Sequence, residues 1–291
     1  MQTKKLKLEL KPLDIMTLIL IAYNIVIIII GWKRLSTPSE FLLKYLIVGL
    51  LVILLNFKQS ENRYLRFLQN FYPFFLFGFF FETSTLMNRI FLPEYLDPFF
   101  QRIDQFIFGY QPAIEWGIRH DGYFLQEIFH FGYFTFYLMI PGLAIYYYLK
   151  DHQTFQRYIF TICFILYACY VIYVILPVIG GRFWEKTQVI SKIYRYGIFT
   201  RIMAFIYQET DHWGGAVPSS HVAAAIGVLL SVWKEKLKFV YVLLPVVVLL
   251  TISTVYCHYH YFIDALIGIL FGIILFFAGE KIYRKTRKCL T

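Results

Sequence analysis

The chain has 291 residues, 59% of them hydrophobic and only 16% charged, with a formal net charge of +10. Soluble domains carry about 25% charged residues, so this composition leaves too little polar surface to face water all round and excludes an ordinary soluble protein. A positive balance would suggest nucleic acid in a soluble chain. Here the basic residues gather at the ends of apolar runs, which points to a bilayer and to no nucleic-acid partner.

Runs of roughly 18 or more apolar residues are candidate membrane spans. In chain order they cover residues 15–32, 123–149, 158–176, 240–256 and 261–278. Residues 41–57, 71–81 and 222–233 are shorter and become spans once their flanks are added, with 71–81 the weakest. The fold expected is therefore all-α: a polytopic transmembrane bundle of about eight spans. Lys4, Lys5, Lys7 and Lys11 precede the first span, and Lys58, Arg63 and Arg66 follow the second. Lys150 and Arg157 fall between the fourth and fifth, Lys234, Lys236 and Lys238 between the sixth and seventh, and five more basic residues close the chain. With eight spans all of these share one side, so both termini are expected in the cytoplasm. The opposite loops hold Arg89, Arg119, Arg182 and Lys186 among others, some of them placed to bind an anion. Cys163, Cys169, Cys257 and Cys289 show neither a disulfide framework nor CxxC spacing.

Two stretches outside the spans carry information. In residues 92–117, Leu96, Phe99, Phe100, Ile103, Phe106, Ile107 and Tyr110 recur at helical spacing, with Asp97, Gln101, Asp104 and Gln105 on the other face. That pattern predicts an amphipathic helix in the membrane interface, on the side opposite the termini. The second stretch, residues 178–217, reads as a long loop with little secondary structure, a kind of segment that is often functional.

Three short motifs fall beside apolar runs, where polar groups are expensive and by default mark a site. The first is "STVYCHYHYFID", residues 253–264. His260 and Asp264 are four apart, so a helix would turn them the same way, and an imidazole held by a carboxylate is the base-plus-orienter pair of general-base and nucleophilic catalysis. On its own the pair also fits a structural or metal-ligand role. The second is "GGAVPSSHV", residues 214–222. Pro218 suits the first turn of a helix, whose free backbone N–H groups bind phosphate, with Ser219 and Ser220 as hydroxyl donors and His221 as a proton donor. An ordinary capped helix start reads the same way. The third is "LPVIGGRFW", residues 176–184, in which Arg182 can grip a phosphate bidentately or simply snorkel to the interface. Eight spans put Arg182, His221, His260 and Asp264 at one membrane face.

The order Arg182, then Pro218-Ser219-Ser220-His221, then Ser253 and His260-x-x-x-Asp264 resembles the type 2 phosphatidic acid phosphatase superfamily. Its signature combines Lys-x6-Arg-Pro, Pro-Ser-Gly-His and Ser-Arg-x5-His-x3-Asp segments. The resemblance covers roughly residues 97–279. It implies a six-span catalytic core, written here as residues 71–291, preceded by a two-span addition, residues 1–70. Within the superfamily, "LDPFFQRIDQFIFGYQP" and "LPVIGGRF" look most like the inositolphosphotransferase or inositol phosphorylceramide synthase-like branch. The departures are specific. The first-segment lysine falls at Ile175, Phe183 replaces the proline, Ser220 the glycine, and Thr254 the third-segment arginine, with His258 nearby as a stand-in.

The resemblance implies phosphoryl transfer through a phosphohistidine without cofactor or metal. His260 would be the nucleophile, Asp264 its orienter and His221 the acid. Arg182, Ser219, Ser220, Ser253 and His258 would hold the phosphate. The expected substrate is a phospholipid or lipid phosphate, with a lipid hydroxyl or water as acceptor. A phosphatase and a head-group transferase share that intermediate. The rival of another class is a transporter, whose ionisable residues within spans would be Lys44, Glu127 and His130; an inactive scaffold is a further alternative.

Overall fold

The computed structural model describes residues 10–184, 197–208 and 213–290. Among them lie eleven α-helices, one 3-10 turn and no strand. The helices are α1 (Pro12–Ile30), α2 (Pro38–Asn56), α3 (Arg63–Leu86), α4 (Asp97–Phe108), α5 (Pro112–Arg119), α6 (Tyr123–Lys150), α7 (His152–Ile175), α8 (Ile198–Gln208), α9 (Ser220–Lys234), α10 (Val240–Tyr256) and α11 (Phe262–Leu290). Local sequence explains many of the starts. Proline occupies the first turn of α1, α2, α4 and α5, where its missing N–H costs nothing. Asn62 and Asp151 cap α3 and α7 with their side chains. Gly109, at φ 73°, ends α4 in the left-handed conformation.

The fold is the helical membrane bundle that the hydropathy predicts. Helices α1, α2, α6, α7 and α11 are each long and apolar enough to cross a membrane. Helix α3 is as long, but Arg63, Arg66, Gln69, Asn70 and Glu82 dilute it. Helices α9 and α10 have 15 and 17 residues, short of the roughly 20 a full crossing needs. Ile19, Leu50, Leu138, Val242 and Ile274 lie exposed on the outer surface, where lipid tails are the natural solvent.

Helix α9 stands at the centre, packed on α6, α7, α10 and α11. Its small residues make that possible: Ala223, Ala224 and Ala225 are fully buried. A Cβ on Gly268 or Gly272 of α11 would come within 2.8 Å of Ser219 O or 2.6 Å of Ala223 O. Small residues four apart let membrane helices approach backbone to backbone. Helix α1 packs on α2 and α7, α3 on α7, α8 on α6, α5 on α10, and α4 on α11.

Two expectations change. The segment 178–217, read as a loop, contains helix α8, whose first amides are capped from α6: Glu127 accepts from Phe199 N at 2.9 Å, Thr200 N at 3.0 Å and Thr200 Oγ1 at 2.7 Å. Helix α8 is amphipathic, with Thr200 and Met203 buried and Ile198 and Phe205 exposed, a period that the loop reading passed over. Residues 185–196 and 209–212 of that segment, Lys186 included, lie outside the described residues. Helix α4 forms as the pattern predicts, yet Asp97 and Asp104 are fully buried while Phe106 is 91% exposed. Asp97 and Asp104 turn into the protein beside Phe100, and Phe99, Phe106 and Ile107 turn out, because the carboxylates find backbone donors inside.

Candidate active site

Loops at one end of the bundle assemble the site. The chain leaving α7 bends through Pro177 to Trp184, and the α10–α11 connection, residues 257–261, lies against it. A Cβ on Gly180 would fall 2.4 Å from Tyr259 O, and one on Gly181 2.7 Å from His258 O. Gly180, at φ 89°, is thus required twice over, for its conformation and for the close approach. Ala216 N donates to Val178 O at 3.0 Å, and Ser219 N to Asp264 O at 3.2 Å, so the strand of chain entering α9 is tied to both loops.

Three buried aspartates hold these loops. Asp97 accepts from Ile179 N, Gly180 N and Tyr261 Oη within 2.9 to 3.2 Å. Asp104 accepts from Phe262 N at 2.8 Å and Ile263 N at 3.1 Å, capping α11 from a different helix. Asp264 accepts from Tyr261 N at 2.8 Å. Burial raises the Asp97 and Asp104 carboxyl pKa values, and the backbone hydrogen bonds pull them back. The sequence pattern placed Asp97 and Asp104 on one face of α4 but carried no sign that they reach the loops of the candidate site.

The structure brings His221, His260, Asp264 and Arg182 together. The rings of His221 and His260 lie 6.1 Å apart between centroids, and Arg182 is within electrostatic reach of both. His260 Nδ1 is 3.7 Å from Asp264 Oδ2, longer than a hydrogen bond. Here the helical reading is corrected: His260 precedes α11, in a loop whose Tyr259 and His260 amides both donate to Thr254 O. It meets the aspartate because that loop folds back on the helix start. His221 Nδ1, His260 Nδ1 and Asp264 Oδ1 are buried with no hydrogen-bond partner among the described residues. Buried polar atoms are nearly always paired, so three such atoms in one cluster point to a polar ligand. Burial first, then His221 and Arg182, holds the His260 imidazole well below its ordinary pKa and hence neutral.

The second motif is used differently from its sequence reading. Pro218 lies before the helix, behind a cis Val217–Pro218 bond. Ser219 is the cap of α9, its Oγ accepting from Val222 N at 3.4 Å. Ser220 N donates to Tyr173 Oη at 3.1 Å, and that hydroxyl donates to Pro218 O at 2.8 Å. The amides of residues 219, 220 and 222 are therefore satisfied within the protein. Ser253 and His258 also turn elsewhere. Ser253 Oγ donates to Leu249 O at 2.7 Å, and His258 Nδ1 meets Ala113 O at 2.6 Å, with its ring against Gly117 of α5. His258 adopts φ 65°, and its pKa is lowered by burial. The positions where the signature has lysine and arginine hold Ile175, 43% exposed, and buried Thr254.

A tyrosine cluster surrounds the pair. Tyr133 Oη lies 3.0 Å from His221 Nε2 and also meets the Tyr207 hydroxyl. Tyr207 stacks on Tyr259, with ring centroids 4.3 Å apart. The Arg182 guanidinium sits 5.0 Å from the centre of the Tyr207 ring. Phe136 packs on His221 at 4.3 Å. In a chain with 24 tyrosines, none of these stands out by sequence. Among the described residues, no three His, Cys, Asp or Glu side chains are grouped to hold a metal ion.

Fold and site together define a class: a multi-pass helical membrane protein with two histidines, an aspartate and an arginine gathered at one end of the bundle. A family model described as the PAP2 superfamily matches residues 100–278. That is more than half of the chain, and the chain belongs to this superfamily. Comparison with the curated proteins found no match, and comparison with the solved structures found none either. Membership supports phosphatase or phosphotransferase chemistry on lipid-like phosphoesters.

Proposed function

We propose that the protein cleaves a phosphoester of a membrane lipid by transfer through a phosphohistidine, and passes the phosphoryl or phospho-head group to a lipid hydroxyl or to water. The observation that carries this reading is the pair of imidazoles 6.1 Å apart beside Arg182, with His260 Nδ1 turned to Asp264 and His221 Nδ1 without a partner. Reacting atoms approach to about 3–3.5 Å and proton donors to about 2.6–3.2 Å, so one tetrahedral phosphoryl group touches both rings.

In the first step a ring nitrogen of neutral His260 attacks phosphorus in line and the P–O bond to the leaving group breaks. His221 gives its proton to the departing oxygen. Tyr133, bound at His221 Nε2, leaves Nδ1 as the atom that carries this proton. Asp264, 3.7 Å from His260, stabilises the imidazolium that forms; such contacts tighten as charge develops. Arg182 faces the equatorial oxygens, where charge stabilisation counts most. In the second step His221 takes a proton from the acceptor hydroxyl, whose oxygen attacks phosphorus, and the P–N bond breaks to restore His260. Ser219, Ser220, Ser253 and His258 shape the walls and loops of the site in this reading.

The motifs in residues 96–112 and 176–183 favour the inositolphosphotransferase-like branch, in which a lipid hydroxyl is the acceptor. We place the site at the face opposite two cytoplasmic termini on the strength of the basic loops, and regard residues 1–70 as an addition to the catalytic core of residues 71–291. The transporter reading finds no relay among its three candidates. Lys44 pairs with Glu40 on an exposed helix face, Glu127 caps α8, and His130 Nδ1 is held by Gln126 O. The deciding experiment offers purified protein a lipid panel with and without acceptor alcohols, read by mass spectrometry. Release or transfer of a phospho-group that disappears in His260→Ala and His221→Ala is expected; turnover that survives either substitution rejects the mechanism.

A further inference from the structure

At the other end of the bundle, away from the two histidines, a cavity of about 630 Å³ is lined by Arg157, Lys234, Tyr283, Arg284, Arg287 and Lys288. From Asp264 to Arg287 the helix α11 advances about 35 Å at 1.5 Å per residue. That exceeds the roughly 30 Å hydrocarbon core, so this cavity and the histidine pair open at opposite membrane faces. Three elements that are distant in sequence, α7, α9 and the end of α11, each contribute cations to it.

The cluster is built rather than scattered. Glu280 is almost fully buried and anchors the ring: it accepts from Lys234, lies 3.3 Å from Arg157 and 3.6 Å from Arg284. Glu235 pairs with Arg157 as well. Three cations, Arg157, Lys234 and Arg284, thus converge on two carboxylates, which orient these side chains, and Arg287 and Lys288 add further positive charge to the lining. A second cavity of about 480 Å³ shares Lys234 and Arg284 with the first, and is walled by Trp233, Phe276 and Phe277. Trp233 and Phe277 are 61% and 54% exposed on the lipid-facing surface. A cationic cavity that shares two basic residues with an aromatic groove matches a molecule with an anionic head and an apolar tail.

We propose that this paired cavity binds an anionic membrane phospholipid, its phosphate within the Arg157–Lys234–Arg284–Arg287–Lys288 cluster and an acyl chain along Trp233 and Phe277. Diffuse attraction of a basic tail to an anionic leaflet is worth only a few-fold in affinity per residue. A preformed chamber adds a defined stoichiometry and a preference among head groups. The site is independent of the catalytic assignment, because none of its residues belongs to the histidine cluster.

The test uses full-length protein carrying His221→Ala and His260→Ala, so that turnover at the other face does not intrude. Native mass spectrometry in a neutral detergent reads binding of short-chain phosphatidylserine, phosphatidylcholine of the same chain length, and inorganic phosphate. One phosphatidylserine per chain is expected, held at least tenfold more tightly than either of the others. Adding Arg284→Gln, Arg287→Gln and Lys288→Gln, all exposed positions, should weaken it by about a hundredfold, near a factor of five per cation. The single variants Arg287→Gln and Lys288→Gln should each show the smaller step if the triple variant is unstable. Lys58→Gln with Arg63→Gln, which removes charge from another basic loop, should change nothing. Phosphatidylserine binding that is unaltered in the triple variant overturns the site. Equal binding of phosphatidylcholine or of inorganic phosphate overturns the anionic-lipid assignment, and equal loss in the Lys58/Arg63 variant reduces it to diffuse charge.

Discussion

Asp104 is the residue through which the scaffold of the site can be tested most sharply. It sits on α4, 156 positions before His260, and touches neither histidine, yet it accepts from the first two amides of α11 at 2.8 and 3.1 Å. The first amides of a helix have no partner within it, and here they are buried, so Asp104→Ala strands two donors. A hydrogen bond to a charged group is worth about 1.5–3 kcal/mol, and loss of an ordinary helix cap about 0.5–2 kcal/mol. Because burial works against the Asp104 charge, the lower end applies, and we expect about 2–3 kcal/mol from both bonds together. Asp104→Asn keeps an accepting oxygen and should lose about half of that.

The consequence for turnover follows from geometry. The start of α11 carries Tyr261, whose amide is held by Asp264, and His260 lies one residue earlier. A displacement of about 1 Å at a reacting group costs about a hundredfold in rate. Turnover of a lipid phosphoester by Asp104→Ala should therefore fall about a hundredfold in kcat with KM little changed, while thermal unfolding shows the protein folded at the assay temperature. In a His260→Ala background the same substitution should cause no further loss, because residues acting as a unit are not additive. A folded Asp104→Ala protein whose kcat stays within threefold of the parent would refute the idea that α4 positions the nucleophile.

Two further expectations concern the histidines. Tyr133→Phe removes the hydroxyl 3.0 Å from His221 Nε2; kcat should drop about tenfold at a stability cost near 1 kcal/mol, and unchanged kcat would show that the phenol does not orient the imidazole. The neutral state of His260 has a sign that can be measured. Its pKa is lowered by burial, so the base form persists as pH falls through the ordinary imidazole range near 6.5, and the acid limb of kcat/KM, which reports the essential base of the free enzyme, should lie below that range. An acid limb at or above 6.5 contradicts the buried, neutral nucleophile.

How much of this was legible in sequence differs from element to element. Apolar runs marked eight helices, because a bilayer tolerates only backbone that bonds to itself; their bounds fall within a few residues for α1, α2, α6, α9 and α10, while α3, α7 and α11 run on through polar residues. They missed α8, whose start is capped by Glu127 from α6 rather than by any neighbour in sequence. The amphipathic period of α4 was plain, but not the direction of its faces: water and buried backbone amides both accept a carboxylate, and sequence does not say which is opposite.

The chain's composition and spacing determined by themselves that this is a helical membrane protein with two histidines, an aspartate and an arginine at one end of its bundle. Those features follow from local rules, the length of an apolar run and the alternation of faces. Only the tertiary structure decided that Asp97 and Asp104 hold the loops of that site, that the amides at residues 219 and 220 are taken by Asp264 and Tyr173, and that His258 turns to α5. Each of these depends on which buried donor finds which acceptor across the bundle. Desolvation makes an unpaired buried group so costly that distant partners, not sequence neighbours, set where these side chains point.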